Sequence, residues 1–360
     1  MWNELKEKDR PLVLYGTGDA AEKILKQLDI RGIRVSGIFA SDGFVRDREF
    51  AGFKVLSYAE AKEKFGPMTV LLCFGSHRPD VIETIKRVAA EQDLYAPDLP
   101  VAGEGLFDRA FYEAHRDDLA WVREKLADKQ SRLVFDKVIE YKLTGRIDPL
   151  LECETPEEEN WKLLRDTFES RKSGGAAASF LDIGAYTGDT VELFLKVFGS
   201  KYSQIIAVEP ESRNFRKLTE TAERLFCSGP NIRLPENITF VNAAAGDRCG
   251  EIPFTHGAGR GGAAGKGRVR PVALETVDHL LSGKSIDIIK MDLEGAEGRA
   301  LCGAEETVKR FKPAMLIAAY HRTEDLFALP EQVLKMAPDY RLYLRKDPCL
   351  PAWGVNCFFI

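Results

Sequence analysis

Two apolar segments near the end of the chain, Tyr340–Leu344 and Val355–Ile360, are separated only by a short loop containing Pro348 and Pro351. A parallel crossover needs about a dozen residues and normally a helix, so this pair is predicted to be antiparallel. Five earlier apolar segments alternate with helical patterns, which predicts parallel pairing. They are Phe180–Ile183, Ile205–Val208, Ile238–Asn242, Ile286–Met291 and Ala314–Tyr320. The sequence therefore indicates an α/β domain whose parallel strands finish in an antiparallel pair.

A shorter strand–helix alternation occupies the start of the chain, where Leu12–Tyr15, Val35–Phe39 and Val70–Phe74 are the strand candidates. This pattern predicts a small parallel sheet covered by helices. From Phe107 to Phe168, apolar residues recur at helical spacing among many charges. We therefore expect three parts: a small Rossmann-like nucleotide-fold domain at 1–105, a helical bridge at 106–172 and a larger domain at 173–360.

Composition and charge limit the class of protein. The 360 residues are 44% hydrophobic and 30% charged, which suits globular domains with cores of their own. Lys and Arg number 51 against 56 Asp and Glu, a net charge of −5. Because nucleic-acid surfaces need an excess of basic residues, we expect no nucleic-acid partner. The 7 cysteines are scattered without a CxxC or a Cys/His cluster, which argues against structural zinc and a disulfide framework.

The first residues, MWNELKEKDR, are charged and contain no apolar run, so they do not resemble a secretory signal. The longest apolar runs have the length of a strand, well below the ~20 residues of a membrane span. We therefore expect a cytoplasmic protein without a membrane span.

The segment Phe180–Thr190, FLDIGAYTGDT, joins an apolar strand to an acid, a glycine turn and the start of a helix. Glycines let a backbone approach a ligand closely, and a helix N-terminus favours a nearby anionic group. Asp182 is placed to orient a ligand ammonium, directly or through water. The leading acid and the wide glycine spacing favour S-adenosylmethionine over a dinucleotide. The alternative is an ordinary strand-to-helix turn.

A second apolar strand ends in Glu209 and Pro210. An acid roughly 20 residues past a glycine loop can accept hydrogen bonds from two ribose hydroxyls. The next strand ends at Asn242 and is followed by the small residues Ala243–Gly246, which leave room for a flat adenine ring. The alternatives are a solvated glutamate and small residues that pack a helix against the sheet.

Charged residues follow the strand candidate Ile286–Met291. Lys290 and Asp292 are two positions apart and would share one face of a strand, and Glu294 comes next. Open α/β sheets bind ligands at the carboxyl ends of their strands, so this cluster is a candidate site. The alternative is a structural Lys290–Asp292 pair with Glu297 capping a helix.

Four segments together resemble the FkbM-type S-adenosylmethionine-dependent methyltransferases: FLDIGAYTGDT, VEPESRNFRKL, IDIIKMDLEGAEGRALCGAEETV and PAMLIAAYHRTEDLFALPEQV. KMDLEGAE with YH soon afterwards is the most specific part. The resemblance spans roughly Phe180 to the carboxyl terminus, and the stretch from Phe107 to Arg146 resembles the helical lead-in of many bacterial members. It implies a class I methyltransferase Rossmann-like sheet and methyl transfer, commonly to a hydroxyl oxygen of a sugar, glycolipid or polyketide.

The same resemblance implies S-adenosyl-L-methionine as the cofactor. The expected cofactor-binding residues come from the glycine loop and the two strands that follow it. They are Asp182, Gly184, Ala185, Tyr186, Gly188, Asp189, Thr190, Glu209, Pro210, Asn242 and Ala243.

An alcohol acceptor must lose its proton during or after attack on an activated methyl group, so a base helps. His321, directly after the strand candidate Ala314–Tyr320, is the first candidate because its ordinary pKa of ~6.5 suits that task. Asp292 and Glu294 are the alternatives, as base or as acceptor-binding carboxylates. They could instead hold a divalent metal with a third ligand, although no metal site is assigned.

The insert at 256–270 carries Arg260, Lys266 and Arg268 among glycines but does not match the phosphate-loop pattern GxxxxGK[ST]. One hypothesis is a basic lid over an anionic acceptor, such as a phosphorylated or nucleotide-linked sugar, and the other is a surface loop. We expect a small-molecule acceptor as the partner of this protein. A homodimer, with a second copy of the chain, is the other expected partnership.

The segment Gly16–Ala21, GTGDAA, together with Asp42 resembles a weak dinucleotide or nucleotide-sugar fingerprint. An NAD-dependent oxidoreductase or a nucleotide-sugar-binding protein is therefore the alternative function. For the amino-terminal domain we prefer an accessory or substrate-positioning role to a purely structural one. A non-catalytic protein on a methyltransferase scaffold is the third alternative.

Overall fold

The computed structural model describes residues 1–41, 43, 45, 49–172, 175–226, 234–256 and 268–360, without the side chains of residues 255, 256 and 268. Asp42, Arg260 and Lys266 lie outside the described residues, as does the side chain of Arg268. The lid hypothesis and the acidic partner of GTGDAA therefore stay predictions.

Six strands form the amino-terminal sheet: β1 Leu12–Tyr15, β2 Gly37–Ala40, β3 Glu49–Phe50, β4 Phe53–Ser57, β5 Thr69–Leu72 and β6 Asp93–Tyr95. Their order is β3-β4-β2-β1-β5-β6, and every pair is parallel except β3 with β4. Strands β1, β2 and β5 are buried along their whole length, as expected when helices cover both faces of a parallel sheet. The helices of this part are α1 Trp2–Lys6, α2 Asp19–Ile30, α3 Tyr58–Phe65 and α4 Pro79–Glu91.

Five helices connect this sheet to the next one: α5 Arg109–Ala114, α6 Arg116–Lys125, α7 Lys129–Thr144, α8 Asp148–Leu151 and α9 Glu157–Arg171. Two begin at aspartate caps, because the Asp108 carboxylate accepts from the Phe111 N–H and that of Asp128 from the Ser131 N–H. Asp128 also pairs with Arg345, at 2.6 Å. The helical region is therefore fastened to the carboxyl-terminal part of the chain.

The described residues of the carboxyl-terminal part form ten strands: β7 Ala178–Ile183, β8 Tyr202–Val208, β9 Ile238–Val241, β10 Ala243–Ala245, β11 Gly250–His256, β12 Arg268–Glu275, β13 Ile288–Met291, β14 Ala314–Ala318, β15 Leu342–Lys346 and β16 Val355–Phe359. Seven of them form a sheet with the order β15-β16-β14-β13-β7-β8-β9. Strand β16 is antiparallel to both β14 and β15, and the other pairs are parallel. The predicted fold class, with its antiparallel ending, is confirmed.

A third, small sheet, β10-β12-β11, is not among the elements predicted from the sequence. In it, β11 and β12 form an antiparallel hairpin, and β12 pairs in parallel with β10. The helices of this half are α10 Asp189–Phe198, α11 Ser212–Phe226, α12 Val277–Leu281, α13 Glu297–Cys302, α14 Glu305–Phe311 and α15 Asp325–Met336. Within the described residues, no helix combines the length and apolar character needed to cross a membrane.

The largest buried apolar cluster crosses the boundaries between these parts. It contains Val13 and Phe39 of the first sheet, Val138 of α7, and Ile183 and Phe359 of the second sheet. Because burial of apolar surface is the main stabilising term in folding, the parts stabilise one another.

The turn after β7 has very little room. Gly184 adopts a φ of +80°, and a Cβ there would lie 1.9 Å from the carbonyl oxygen of Asp292. The glycine is thus required by the neighbouring loop, whereas the sequence suggested approach of a ligand. Gly188 adopts a φ of +89°, and a Cβ would lie 3.1 Å from side-chain carbons of Leu218 and Thr221 on α11.

Replacing Gly184 by alanine should lower the free energy of unfolding much more than the same change at Gly199. Both glycines have a φ of +80°, but a Cβ at Gly199 meets nothing within 4 Å. The Gly199→Ala control should therefore cost only the backbone strain, about 1–3 kcal/mol. Urea unfolding of both variants measures the difference, and equal losses would show that the contact with Asp292 is unimportant.

Candidate active site

A cavity of about 910 Å³ lies at the carboxyl ends of the central strands of the second sheet. Ligands of open α/β sheets bind at this edge. Nine residues predicted from the sequence line it: Gly184, Tyr186, Asp189, Thr190, Glu209, Pro210, Asp292, Glu294 and His321. The structure therefore brings the glycine loop, the end of β8 and the predicted catalytic residues into one space.

Five predicted cofactor-binding residues are absent from the described lining of this cavity. Ala185 and Ala243 are fully buried in apolar clusters, and Gly188 packs against α11. Asn242 is exposed, and its amide donates to the carbonyl oxygens of Glu209 and Pro210, at 2.7 and 3.2 Å. The fifth is Asp182. These residues support the walls of the cavity, and from β10 it is Ala244 and Ala245 that face it.

Asp182 is fully buried beneath the glycine loop and forms an ion pair with Lys290, Nζ to Oδ1 at 3.2 Å. The same ammonium donates to the carbonyl oxygen of Gly184 at 2.7 Å. Burial raises the pKa of Asp182 to about 6, against the lowering effect of the Lys290 charge. Burial lowers the pKa of Lys290, but the charges of Asp182, Asp292 and Asp189 outweigh it and leave it raised. This carboxylate therefore supports the loop from below, through Lys290. The expectation that it orients a ligand ammonium, directly or through water, stays a prediction.

Glu209 is buried at the end of β8 with its carboxylate on the cavity wall. One oxygen accepts from the Tyr186 N–H and the other from the Glu211 N–H, each at 2.9 Å. Burial raises its pKa, and these backbone hydrogen bonds oppose the change. Tyr186 has a φ of +47°, a conformation uncommon for residues other than glycine. The carboxylate therefore fixes the path of the glycine loop.

His321 follows β14 and is buried among three carboxylates. Its Nδ1 lies 2.8 Å from Glu297 Oε1, and its Nε2 lies 3.3 Å from Asp292 Oδ1 and 3.7 Å from Glu294 Oε2. Burial lowers the pKa of His321, but the contact with Glu297 and the three negative charges outweigh it and raise that pKa to about 9. At neutral pH the imidazole is therefore a cation, which makes it a poor proton acceptor.

Asp292 faces the cavity, with 37% of its side chain exposed. The Tyr320 hydroxyl lies 3.3 Å from both of its oxygens and donates to them. Glu294 has a φ of +51° and a side chain that is 52% exposed, so it lies closer to solvent. Asp292 is thus held by a tyrosine and an imidazolium.

Two residues of this cluster were missed in the sequence analysis. Glu297 was considered only as a helix cap, yet its buried Oε1 accepts from the Leu293 N–H at 2.7 Å and faces His321. Tyr320 is expected as the end of a strand, with no role in the site. The available signal is the motif itself, because Glu297 is the last residue of KMDLEGAE and Tyr320 is the first of YH. Asp292, Glu297 and His321 also offer metal-ligand atoms within 4.8 Å of one another, but the two carboxylates face opposite ring nitrogens, which suits an imidazolium that joins them.

The amino-terminal part supplies one wall of the cavity through His77, Pro79 and Val101. A Cβ at Gly75 would lie 2.5 Å from the ring of Trp353, which also lines the cavity. The backbone N–H of Ala102 donates to the carbonyl oxygen of His321 at 3.0 Å. The carboxyl end of β5 is therefore packed against the second half of the chain.

Residues 182–346 match the family model described as the methyltransferase FkbM domain. This segment is an FkbM-type methyltransferase domain. The predicted S-adenosylmethionine-dependent methyltransferase family is thereby confirmed, with S-adenosyl-L-methionine as its cofactor. A search of the curated proteins gives no significant match.

Solved structures resemble the chain to different extents. Methyltransferase FkbM from Methylobacillus flagellatus KT is 21% identical, with a TM-score of 0.70 over 99% of this chain and 92% of that one. Fibrillarin from Aeropyrum pernix, solved with S-adenosyl-L-methionine, is 13% identical with a TM-score of 0.31, over 51% of this chain and 67% of that one. A methyltransferase from Aquifex aeolicus is 16% identical with a TM-score of 0.31, over 57% of this chain and 90% of that one. The first likeness shows that nearly the whole chain shares its fold.

The buried pair Asp182–Lys290 predicts a specific result for a double-mutant cycle. Asp182→Asn leaves a buried ammonium without its counter-charge, so the free energy of unfolding should fall by about 3–5 kcal/mol. Asp182→Asn combined with Lys290→Met removes both charges and should recover most of that loss. Urea unfolding measures each variant.

The exposed pair Lys312–Asp339 serves as the control for this cycle. Asp339→Asn should change the free energy of unfolding very little, because exposed ion pairs contribute little. Additive losses from Asp182→Asn and Lys290→Met would contradict a coupled buried pair.

Proposed function

We propose that this FkbM-type methyltransferase is an O-methyltransferase that acts on a hydroxyl group of a small acceptor, such as a sugar or a glycolipid. One observation carries the proposal. A single cavity joins the glycine loop and Glu209 to Asp292, a carboxylate held in place by Tyr320 and His321. The first group suits a nucleoside-type cofactor, and the second suits removal of a proton from an acceptor.

Glu209 supports the cofactor assignment. Each carboxylate oxygen can accept more than one hydrogen bond, so the carboxylate retains capacity for ribose hydroxyls beside its backbone partners. Ala244 and Ala245 line the same cavity and leave room for a flat ring. The loop 184–190 contains Asp189 and neither lysine nor arginine, which favours a cationic cofactor over an anionic dinucleotide pyrophosphate.

When bound, S-adenosylmethionine supplies a methyl group already activated by its sulfonium. The residues of the chain must orient the acceptor, exclude water and take up its proton. The hydroxyl proton becomes strongly acidic as the new C–O bond forms, so a carboxylate is basic enough to accept it. Asp292 is the proposed proton acceptor, since His321 is already protonated below about pH 9.

Within this mechanism His321 positions Asp292. Its Nε2 faces Asp292 and its Nδ1 faces the buried Glu297, so the ring cannot turn without breaking one of the two contacts. The positive charge of the ring offsets the repulsion between the neighbouring carboxylates. Glu294, nearer to solvent, is the proposed contact for other acceptor hydroxyls.

For the amino-terminal part we propose a role in positioning the acceptor. His77, Pro79 and Val101 form a wall of the same cavity, which supports this role over an independent dinucleotide site. In the proposed division into 1–105, 106–172 and 173–360, the first part forms the wall against which the acceptor binds. The last part contains the cofactor site and Asp292.

Two substitutions should separate cofactor binding from methyl transfer. Glu209→Gln removes a charged acceptor of hydrogen bonds worth about 1.5–3 kcal/mol each, so S-adenosylmethionine should bind roughly 10- to 100-fold more weakly. Asp292→Asn should leave binding nearly unchanged and slow transfer by roughly 10²–10⁴-fold. Calorimetry measures binding, and a radiolabelled methyl group measures transfer to a panel of sugars and glycolipids.

Glu220→Gln, an exposed change on α11, is the control and should alter neither binding nor transfer. Absence of S-adenosylmethionine binding by the unaltered chain would refute the cofactor assignment. Full transfer by Asp292→Asn would remove Asp292 from the mechanism, and methylation only at nitrogen or carbon would refute O-methylation.

A further inference from the structure

A second group of metal-ligating side chains lies away from the cavity, at the base of the β11–β12 hairpin. It consists of Cys249, Glu275 and His279. Cys249 directly precedes β11, Glu275 is the last residue of β12, and His279 lies in the first turn of α12. None of the three is among the described residues that line the cavity. Three chain segments therefore place one sulfur, one oxygen and one nitrogen ligand at a single point.

The distances among the three ligand atoms suit a small cation. All lie within 4.8 Å of one another. Glu275 Oε2 is central, 3.5 Å from Cys249 Sγ and 2.5 Å from His279 Nδ1. Ligands around a tetrahedral zinc ion lie roughly 3.3–3.6 Å apart, given bonds of ~2.0–2.3 Å. The Cys249–Glu275 spacing already falls in this range, and His279 needs only a small rotation away from Glu275.

The surrounding backbone holds the ligands in place. The Thr276 hydroxyl caps α12 by accepting from the His279 N–H at 3.1 Å. The carbonyl oxygen of Glu275 accepts from the Gly246 N–H at 2.9 Å. Ligand backbones that are fixed before an ion arrives reduce the entropy lost on binding, so this cluster is better organised than three neighbouring surface residues.

The mixture of ligand atoms selects the class of ion. Calcium and magnesium prefer oxygen ligands alone, whereas a thiolate, an imidazole and a carboxylate together suit zinc and similar borderline ions. Cys249 and His279 are both exposed, so an ion can enter from solvent. We propose that Cys249, Glu275 and His279 bind a zinc-type divalent cation, with water in the remaining position.

The place of the site in the fold indicates what the ion would do. Gly250 pairs with Leu274, so Cys249 and Glu275 lie at the open end of the hairpin, on its two strands. Ile252 and Phe254 of β11 and Leu274 of β12 line the catalytic cavity. The bound ion fastens both strands of the hairpin, at its open end, to α12. It so fixes the position of one cavity wall, without contact with the acceptor or the cofactor.

Cobalt(II) is the probe that tests the site, added to the full chain after treatment with a chelator. A thiolate bound to cobalt gives an intense near-ultraviolet charge-transfer band. We expect this band in the unaltered chain, its loss in Cys249→Ser and its retention in Cys302→Ser, which changes the other exposed cysteine of the described residues. Cobalt held by Asp292, Glu297 and His321 would give no thiolate band, so the two clusters are distinguishable.

Zinc affinity, measured by competition with a chelator, gives a second readout. Loss of a residue beside a ligand typically costs 10–100-fold in metal affinity, so His279→Ala should weaken zinc binding by at least about 100-fold. Zinc should also raise the Tm of the unaltered chain and leave that of Cys249→Ser unchanged, which shows that the variant is folded. A missing thiolate band, or one that persists in Cys249→Ser, would overturn the proposal.

Discussion

The arrangement of the active site depends on the contacts that the Lys290 ammonium makes. It is buried between the Asp182 carboxylate and the carbonyl oxygen of Gly184, so it joins β13 to the turn that leaves β7. The same turn lies against the carbonyl oxygen of Asp292. A movement of the glycine loop therefore moves Asp292 as well, and the cofactor side of the cavity is mechanically tied to the proposed proton acceptor.

A second constraint comes from charge. Three carboxylates stand around one buried imidazole, and the positive charge of a protonated His321 relieves their mutual repulsion. An isolated histidine after a strand would be a reasonable base, as the sequence suggested. Surrounded by Glu297, Asp292 and Glu294, it becomes a fixed cation, and we propose that Asp292 accepts the proton in its place.

The sequence predicts the second sheet closely because local signals determine it. The predicted and observed strand bounds differ by a few residues, and the antiparallel ending follows from the short loop before β16. Glu209, Asp292 and His321 follow the ends of strands, where the cavity forms. Contacts between distant segments were not predictable. Tertiary packing determines the burial of Asp182, the contact of His321 with Glu297 and the cavity wall that contains His77. It also brings Cys249 close to His279.

In the proposed mechanism Asp292 takes the proton while His321 remains charged, and an NMR titration of the His321 imidazole determines whether it does. Because the folded-state pKa is raised, the ion pairs of His321 stabilise the fold fully below pH ~6.5 and are lost as the pH rises through about 9. We expect an imidazolium at pH 7 that titrates near 9. A His321 that is neutral at pH 7, with a pKa at or below ~6.5, would contradict it and return the role of base to the histidine.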